Sequence, residues 1–241
     1  RHVDGSTFSG TESVTSLKVE AGNVTFTALP SVRELEWCGH TFSGESGPVS
    51  DVTALTAMSL TTGVIDKDFH FPHNLARLQL SLANEHLDVN RLASLPHLQS
   101  LSLDLNKHKD PLDLSGLTAL TLFDGTGLRF SRLPVSLVAC RVALDTDFDF
   151  LPFTNLTSLN IALKSNANIT FPTQLKELRV FGNGGLAETN IGDVGLEVFN
   201  YFCWKCPLNR AKVGKLPKTI RKIDGAFDPP SLKETFRELF P

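Results

Sequence analysis

Apolar residues recur along this chain in one pattern, with a period of about twenty residues. The segment FPTQLKELRV, residues 171–180, shows a single copy: an apolar residue followed by Pro, then the spacing L-x-x-L-x-L. Other copies carry Ile, Val, Phe, Met or Cys at some of these positions. The middle apolar position of each copy falls at Leu17, Leu35, Met58, Leu78, Leu101, Leu120, Cys140, Leu159, Leu178, Phe199 and Ile223. The pattern therefore predicts about eleven short repeats.

Each copy predicts one short strand, because neighbouring side chains of a strand point to opposite faces. Leu178 and Val180 would point into the core, whereas Arg179 and Phe181 would point outward. A strand this short buries too little surface to be stable alone. Stacked copies cover one another's apolar side chains and pair their backbones as a parallel sheet. The sequence thus predicts a solenoid.

These copies resemble the leucine-rich repeat family, from about Val14 to Gly225. The resemblance implies an α/β-type repeat solenoid: an arc with a parallel sheet on its concave face. Twenty residues per copy leave too little chain for a long helix, so turns and short 3₁₀ segments are expected on the convex face. The family usually carries Asn three residues after the second strand leucine, and here only Asn106 and Asn183 occupy that position. The geometry of the turns is therefore expected to differ from the family's.

Three segments follow from the pattern. Residues 1–13 are polar and predict a lead-in or weak cap, and residues 14–228 form the solenoid. Residues 229–241 predict a short C-terminal capping helix, because Ser231 and Glu234 have the spacing of a capping box. An equal interpretation is that this helix continues into a further domain. The chain begins with Arg1, which suggests that a leader or an upstream domain has been removed.

Composition restricts the class of protein without naming it. The chain has 241 residues, 41% of them hydrophobic, and a formal net charge of −3, which is neither a polyanion nor a strongly basic protein. No apolar run approaches the roughly 18 residues of a membrane span. Four cysteines do not form a disulfide framework. The cysteine-flanked caps of many extracellular leucine-rich repeat proteins are missing, which favours an intracellular location. Sequons at Asn23, Asn155 and Asn168 would instead suit a secreted or surface protein.

Two local clusters are candidates for a redox or metal site. Cys203 and Cys206 form a C-x-x-C, which suits a redox pair or half of a metal site, although buried packing is the commoner use of such residues. Asp145, Asp147 and Asp149 alternate as calcium ligands do, but the Gly and closing Glu of an EF-hand loop are missing. The sequence carries no nucleophile elbow, phosphate-binding loop or dinucleotide fingerprint. It predicts a non-catalytic protein without a cofactor or a bound metal.

The outward strand positions are the expected binding surface. Early copies place small or polar residues there, whereas later copies place larger ones. Exposed aromatic residues beside Arg are typical of interface hot spots. Packing against the neighbouring strand is the alternative role for each Phe. The predicted partner-binding residues are Phe123, Arg141, Asn160, Arg179, Phe181, Asn200 and Phe202.

A basic stretch follows these copies. Residues 205–222 contain seven Lys or Arg residues and no acid. Such a stretch suits an anionic partner, and a solvated loop is the alternative. The sequence thus predicts a recognition module that binds a protein partner of unknown identity through its concave face. An adaptor arm of a larger assembly, such as a ubiquitin ligase substrate receptor, and a secreted recognition protein are the alternatives.

Overall fold

The computed structural model describes residues 14–20, 31–42, 54–65, 69–83, 90–105, 111–125, 128–203, 205–207 and 215–226. The chain forms two compact units, Arg1–Pro134 and Val135–Pro241. Parallel strands build both units. Helix is limited, within the described ranges, to one turn of α-helix, α1 at Asn90–Ala93, and a 3₁₀ segment at Ile191–Asp193. The prediction of a repeat solenoid of parallel strands is confirmed at this level.

The first unit contains six strands of the main sheet, which follow one another in chain order. A pair of shorter parallel strands, β6 and β8, lies in the connections. The main strands are β1 (Ser16–Glu20), β2 (Glu34–Phe42), β3 (Ala57–Ile65), β4 (Arg77–Leu82), β5 (Ser100–Leu105) and β7 (Leu122–Gly125), and the short pair is β6 (Leu112–Asp113) and β8 (Phe130–Arg132).

The second unit repeats this plan with five main strands. Its connections form a second parallel sheet of three short strands, in the order β10-β12-β14. The main strands are β9 (Ala139–Leu144), β11 (Ser158–Leu163), β13 (Glu177–Gly182), β15 (Val198–Cys203) and β16 (Lys222–Gly225), and the short ones are β10 (Phe148–Asp149), β12 (Ala167–Thr170) and β14 (Leu186–Thr189).

Strand register aligns the apolar positions into columns. In the first unit one column runs through Leu17, Leu35, Met58, Leu78 and Leu101. In the second unit an equivalent column runs through Cys140, Leu159, Leu178, Phe199 and Ile223. Ten of the eleven predicted core positions therefore lie in these columns. The eleventh, Leu120, does not.

The predicted alignment of the copy around Leu120 is wrong by three residues. Phe123, not Leu120, pairs with Leu101, and it is only 3% exposed. Leu122, expected in the core, faces outward and is 48% exposed. The backbone agrees, because the Gln99 carbonyl accepts the N–H groups of Thr121 and Leu122 at the start of β7. Leu120 is buried in the preceding turn.

Space beside the strand explains this alignment. The ring of Phe123 meets that of Phe130 edge-on, with centroids 5.2 Å apart. A Cβ atom at Gly125 would lie 2.4 Å from the Phe123 ring, so the ring occupies the space a side chain would need there. In the observed register, Leu120, Phe123 and Gly125 therefore take the three positions of the L-x-x-L-x-L pattern in this copy. The sequence LTALTL fits the apolar spacing equally well in the other frame.

Side-chain hydrogen bonds run along the short sheet of the second unit. Asp147 accepts the backbone N–H and the side-chain amide of Asn168, at 2.7 and 2.9 Å. Asn168 in turn accepts the N–H of Glu188 at 3.1 Å. Asp149 accepts the hydroxyl of Thr170 in the same way. These carboxylates thus hold one repeat to the next.

Several predictions fall on parts of the chain that are not described. The lead-in, residues 1–13, and the capping helix, residues 229–241, both lie outside the described residues. Turns and bends occur between the described main strands, together with the short strands of the connections. One such turn closes through the Leu175 N–H and the Pro172 carbonyl, at 3.1 Å.

Phe123 and Leu122 provide a direct test of the register. Replacing Phe123 with Ala should lower the free energy of unfolding by about 3–5 kcal/mol, because a buried ring is lost. Replacing Leu122 with Ala should change it by about 0.5 kcal/mol or less, because the side chain faces solvent. Urea unfolding followed by circular dichroism measures both. A larger loss for Leu122→Ala than for Phe123→Ala would contradict the register.

Tyr201, the chain's single tyrosine, gives a second test of the core. It is 1% exposed, and burial raises the pKa of its hydroxyl above the ordinary value of 10.0, with a further contribution from Cys203. The buried neutral hydroxyl therefore makes its full contribution to folding stability below the pKa of the unfolded state. This contribution is lost as pH rises from there toward the higher pKa of the folded state. We expect tyrosinate absorbance to rise only together with loss of circular dichroism, above about pH 10. Reversible ionisation near that pH in a folded chain would show that Tyr201 is solvated.

Candidate functional site

The outward face of the second unit is formed by the strand side chains that alternate with its core columns. We number its rows along the strand direction. The first row contains Ala139, Ser158, Glu177, Val198 and Lys222; the second contains Arg141, Asn160, Arg179, Asn200 and Asp224; the third contains Ala143, Ala162, Phe181 and Phe202. Neighbours in a row lie on adjacent strands, about 4.8 Å apart.

Four predicted binding residues form a continuous run in the second row. Arg141 and Arg179 are exposed, and Asn160 and Asn200 are half-buried. The side-chain oxygen of Asn160 is buried without a hydrogen-bond partner, which costs about 1–3 kcal/mol in a typical protein. The row therefore alternates two cationic side chains with two amides.

Two more predicted residues lie side by side in the third row. Phe181 of β13 pairs in register with Phe202 of β15. Phe202 is 37% exposed and Phe181 is half-buried. The row continues through Ala162, whose small side chain leaves the neighbouring Phe181 ring uncovered by a bulky group on that strand. The two rings thus form an apolar strip next to the Arg and Asn row.

Phe123 does not belong to this surface. The prediction that it faces outward in the same column as Phe181 is wrong, because its ring lies in the core of the first unit. Leu122 takes the outward position instead.

Glu177 orients the central arginine of the site. Its Oε1 atom accepts hydrogen bonds from Nε and Nη2 of Arg179 at 3.0 and 2.6 Å. Its Oε2 atom accepts the Ser158 hydroxyl at 3.3 Å. An exposed pair of this kind adds little stability. Its consequence is geometric, because it holds the guanidinium along the strand. Sequence reasoning missed Glu177 as a site residue, although its position two residues before Arg179 on one strand face was visible.

Part of the predicted basic stretch adjoins the same face. Lys222 occupies the first row beside Val198. Lys205, Lys215, Lys218 and Arg221 are also exposed. Arg210 and Lys212 lie outside the described residues. The main strands of this unit carry Arg141, Arg179 and Lys222 against Glu177 and Asp224, three cations against two anions, so their net charge is +1.

The first unit presents a different outward face. Its main strands carry Lys18 and Arg77 against Glu20, Glu34, Glu36, Asp104 and Asp124, two cations against five anions, so their net charge is −3. A cavity of about 350 Å³ opens there, lined by residues of β1 to β5 that include Glu34, Ser59 and Arg77. Arg77 reaches Glu34 at 2.8 Å, from β4 to β2. This polar face lacks the aromatic strip among its described side chains.

The structure also places the C-x-x-C pair and two of the three sequons that the sequence contains. Cys203 is buried and Cys206 is half-buried, and neither is in a disulfide. The sequon residue Asn155 is exposed, the side chain of Asn168 is engaged by Asp147, and Asn23 lies outside the described residues. Within the described ranges no group of three or more His, Cys, Asp and Glu residues is placed to hold a metal ion. No helix in those ranges is long and apolar enough to span a bilayer.

No protein-family model matches the chain, and no curated protein sequence matches it.

The fold should not depend on the exposed aromatic strip. Replacing Phe202 with Ala should lower the free energy of unfolding by about 1 kcal/mol or less, because much of its ring is solvated. Replacing its core neighbour Phe199 with Ala should cost about 3–5 kcal/mol. Urea unfolding of the two variants measures the difference. Equal losses would mean that Phe202 is a packing residue.

Proposed function

We propose that this protein is a non-catalytic recognition module that binds a protein partner through the outward face of its second unit. The partner presents an apolar side chain to the Phe181 and Phe202 strip and a carboxylate to the row that contains Arg179. One observation carries the proposal: register brings the half-buried Phe181 and the exposed Phe202 together on adjacent strands, beside the row of Arg and Asn side chains.

The composition of this surface supports a protein partner. Aromatic residues and Arg are enriched among the residues that dominate binding energy, and Phe181, Phe202 and Arg179 belong to those types. The net charge of +1 on these strands favours an acidic segment over a basic one. The orienting contact from Glu177 reduces the conformational freedom that Arg179 would lose on binding.

The solenoid is suited to this role. A sheet whose backbone is already paired does not need to be ordered when a partner binds, so contact energy is not spent on folding. We assign the solenoid to the leucine-rich repeat type, on the regular columns of Leu159, Leu178 and their equivalents. The connections of the second unit carry the short sheet β10-β12-β14, which suits repeats too short for a long helix.

Binding measurements on defined variants test the proposal. Partners are first collected by cross-linking to the full protein in cells, and each identified partner is then purified. Isothermal titration calorimetry compares the wild type with Phe181→Ala, Phe202→Ala and Arg179→Ala. We expect each change to raise the Kd by about tenfold or more, which corresponds to a loss of about 1.4 kcal/mol of binding free energy.

A matched control separates the site from general apolar exposure. Leu151 is 48% exposed in the same unit but lies outside the main strands. Leu151→Ala should bind like the wild type. The proposal is overturned if all three site variants also bind like the wild type. Binding that is lost only in Lys218→Glu, and that weakens steeply with salt, would assign the contact to the basic stretch instead.

A further inference from the structure

A backbone hydrogen bond joins Cys203 to Cys206. Cys203 is the last residue of β15, and its carbonyl oxygen accepts the N–H of Cys206 at 3.2 Å. A hydrogen bond between residues i and i+3 is the mark of a β-turn, in which the two end α-carbons lie within about 7 Å. Disulfides join α-carbons about 4.4–6.8 Å apart. The turn therefore brings the two residues into the range that a disulfide requires.

The two side chains also face the same neighbours. Both thiols lie close enough to the Tyr201 hydroxyl to raise its pKa, after the larger effect of burial. A Cβ atom at Gly185 would lie 2.6 Å from Cβ of Cys206 and 2.6 Å from the Tyr201 hydroxyl oxygen. The missing side chain of Gly185 thus leaves the space in which the sulfur of Cys206 sits beside the phenol.

The two thiols differ in access. Cys203 is fully buried, whereas Cys206 is half-buried and its Sγ donates a hydrogen bond to Oδ1 of Asn166 at 3.1 Å. The same Asn166 oxygen accepts the Gly185 N–H at 3.0 Å. Asn166 therefore keeps a partner if the Cys206 proton is lost. This arrangement has one accessible thiol and one resolving thiol, as in reversible dithiol sites.

We propose that Cys203 and Cys206 form a reversible disulfide by exchange with a low-molecular-weight disulfide such as oxidised glutathione. The Cys206 thiolate attacks one sulfur of glutathione disulfide, forms a mixed disulfide and releases one glutathione thiolate. The Cys203 thiolate then attacks the sulfur of Cys206 and releases the second glutathione thiolate. The protein is oxidised by two electrons, and one glutathione disulfide is reduced to two thiols. This disulfide chemistry does not rest on the proposed recognition function.

Mass spectrometry of the folded full chain tests the site. A Cys38→Ser background removes the exposed thiol of the first unit, so three of the four cysteines remain. The reduced protein is incubated in glutathione buffers of increasing oxidised fraction, quenched with acid and alkylated. Before alkylation, we expect the oxidised protein to weigh two hydrogen atoms less than the reduced protein and to carry no glutathione. After alkylation, only Cys140 should carry the label. The linked peptide should contain both Cys203 and Cys206.

Single variants identify the role of each sulfur. Cys203→Ala should stop at the mixed disulfide on Cys206, because no second thiol resolves it. Cys206→Ser should stay unmodified while folded, because Cys203 is buried. Circular dichroism verifies that each variant folds, and the wild-type result decides the proposal if one does not. The proposal fails if the folded wild type keeps both thiols, stops at the mixed disulfide, or forms the bond only in denaturant.

Discussion

Each unit depends on parallel strands that pair in register. No single strand of six residues can cover its own apolar side chains, but a residue between two equivalent residues is covered on both sides. Ile161, between Val142 and Val180, is completely buried in this way. At the last described strand, Ile223 has a described neighbour on one side and is only half-buried. Stability therefore arises from the stack and not from any one repeat.

Because side chains alternate between the core and the surface along each strand, the outward side chains are not needed to fill the core. Their size and charge therefore determine the surface. On the first unit, Arg77 and Glu34 meet across β3, where the small Ala57 lies between them in register. On the second unit, the equivalent strands carry large rings and an oriented guanidinium. One backbone plan thus supports an acidic polar face in one unit and an aromatic, weakly cationic face in the other.

The sequence predicted most core positions because apolar spacing is set by the strand period. It failed at Phe123, since two overlapping apolar frames differ by three residues and only the packing of Phe130 and Gly125 distinguishes them. The short sheet was not predicted, because strands of two residues such as Phe148–Asp149 have no readable period. Six of the seven candidate binding residues lie outward as predicted, and the exception follows from the same error in frame. Glu177 could be recognised as a site residue only from its observed hydrogen bonds with Arg179.

Strand β15 connects the two chemistries of the second unit. Asn200 and Phe202 face outward, whereas Tyr201 and Cys203 face the core, because successive side chains alternate. Its described pairing with β16 ends at Tyr201, while its pairing with β13 continues to Cys203. The last two residues of β15 are therefore held by the described ladders on one side only. Phe202 is therefore the outward residue that directly precedes Cys203 on this one-sided part of the strand, whereas Arg179 lies on a strand that is paired on both sides.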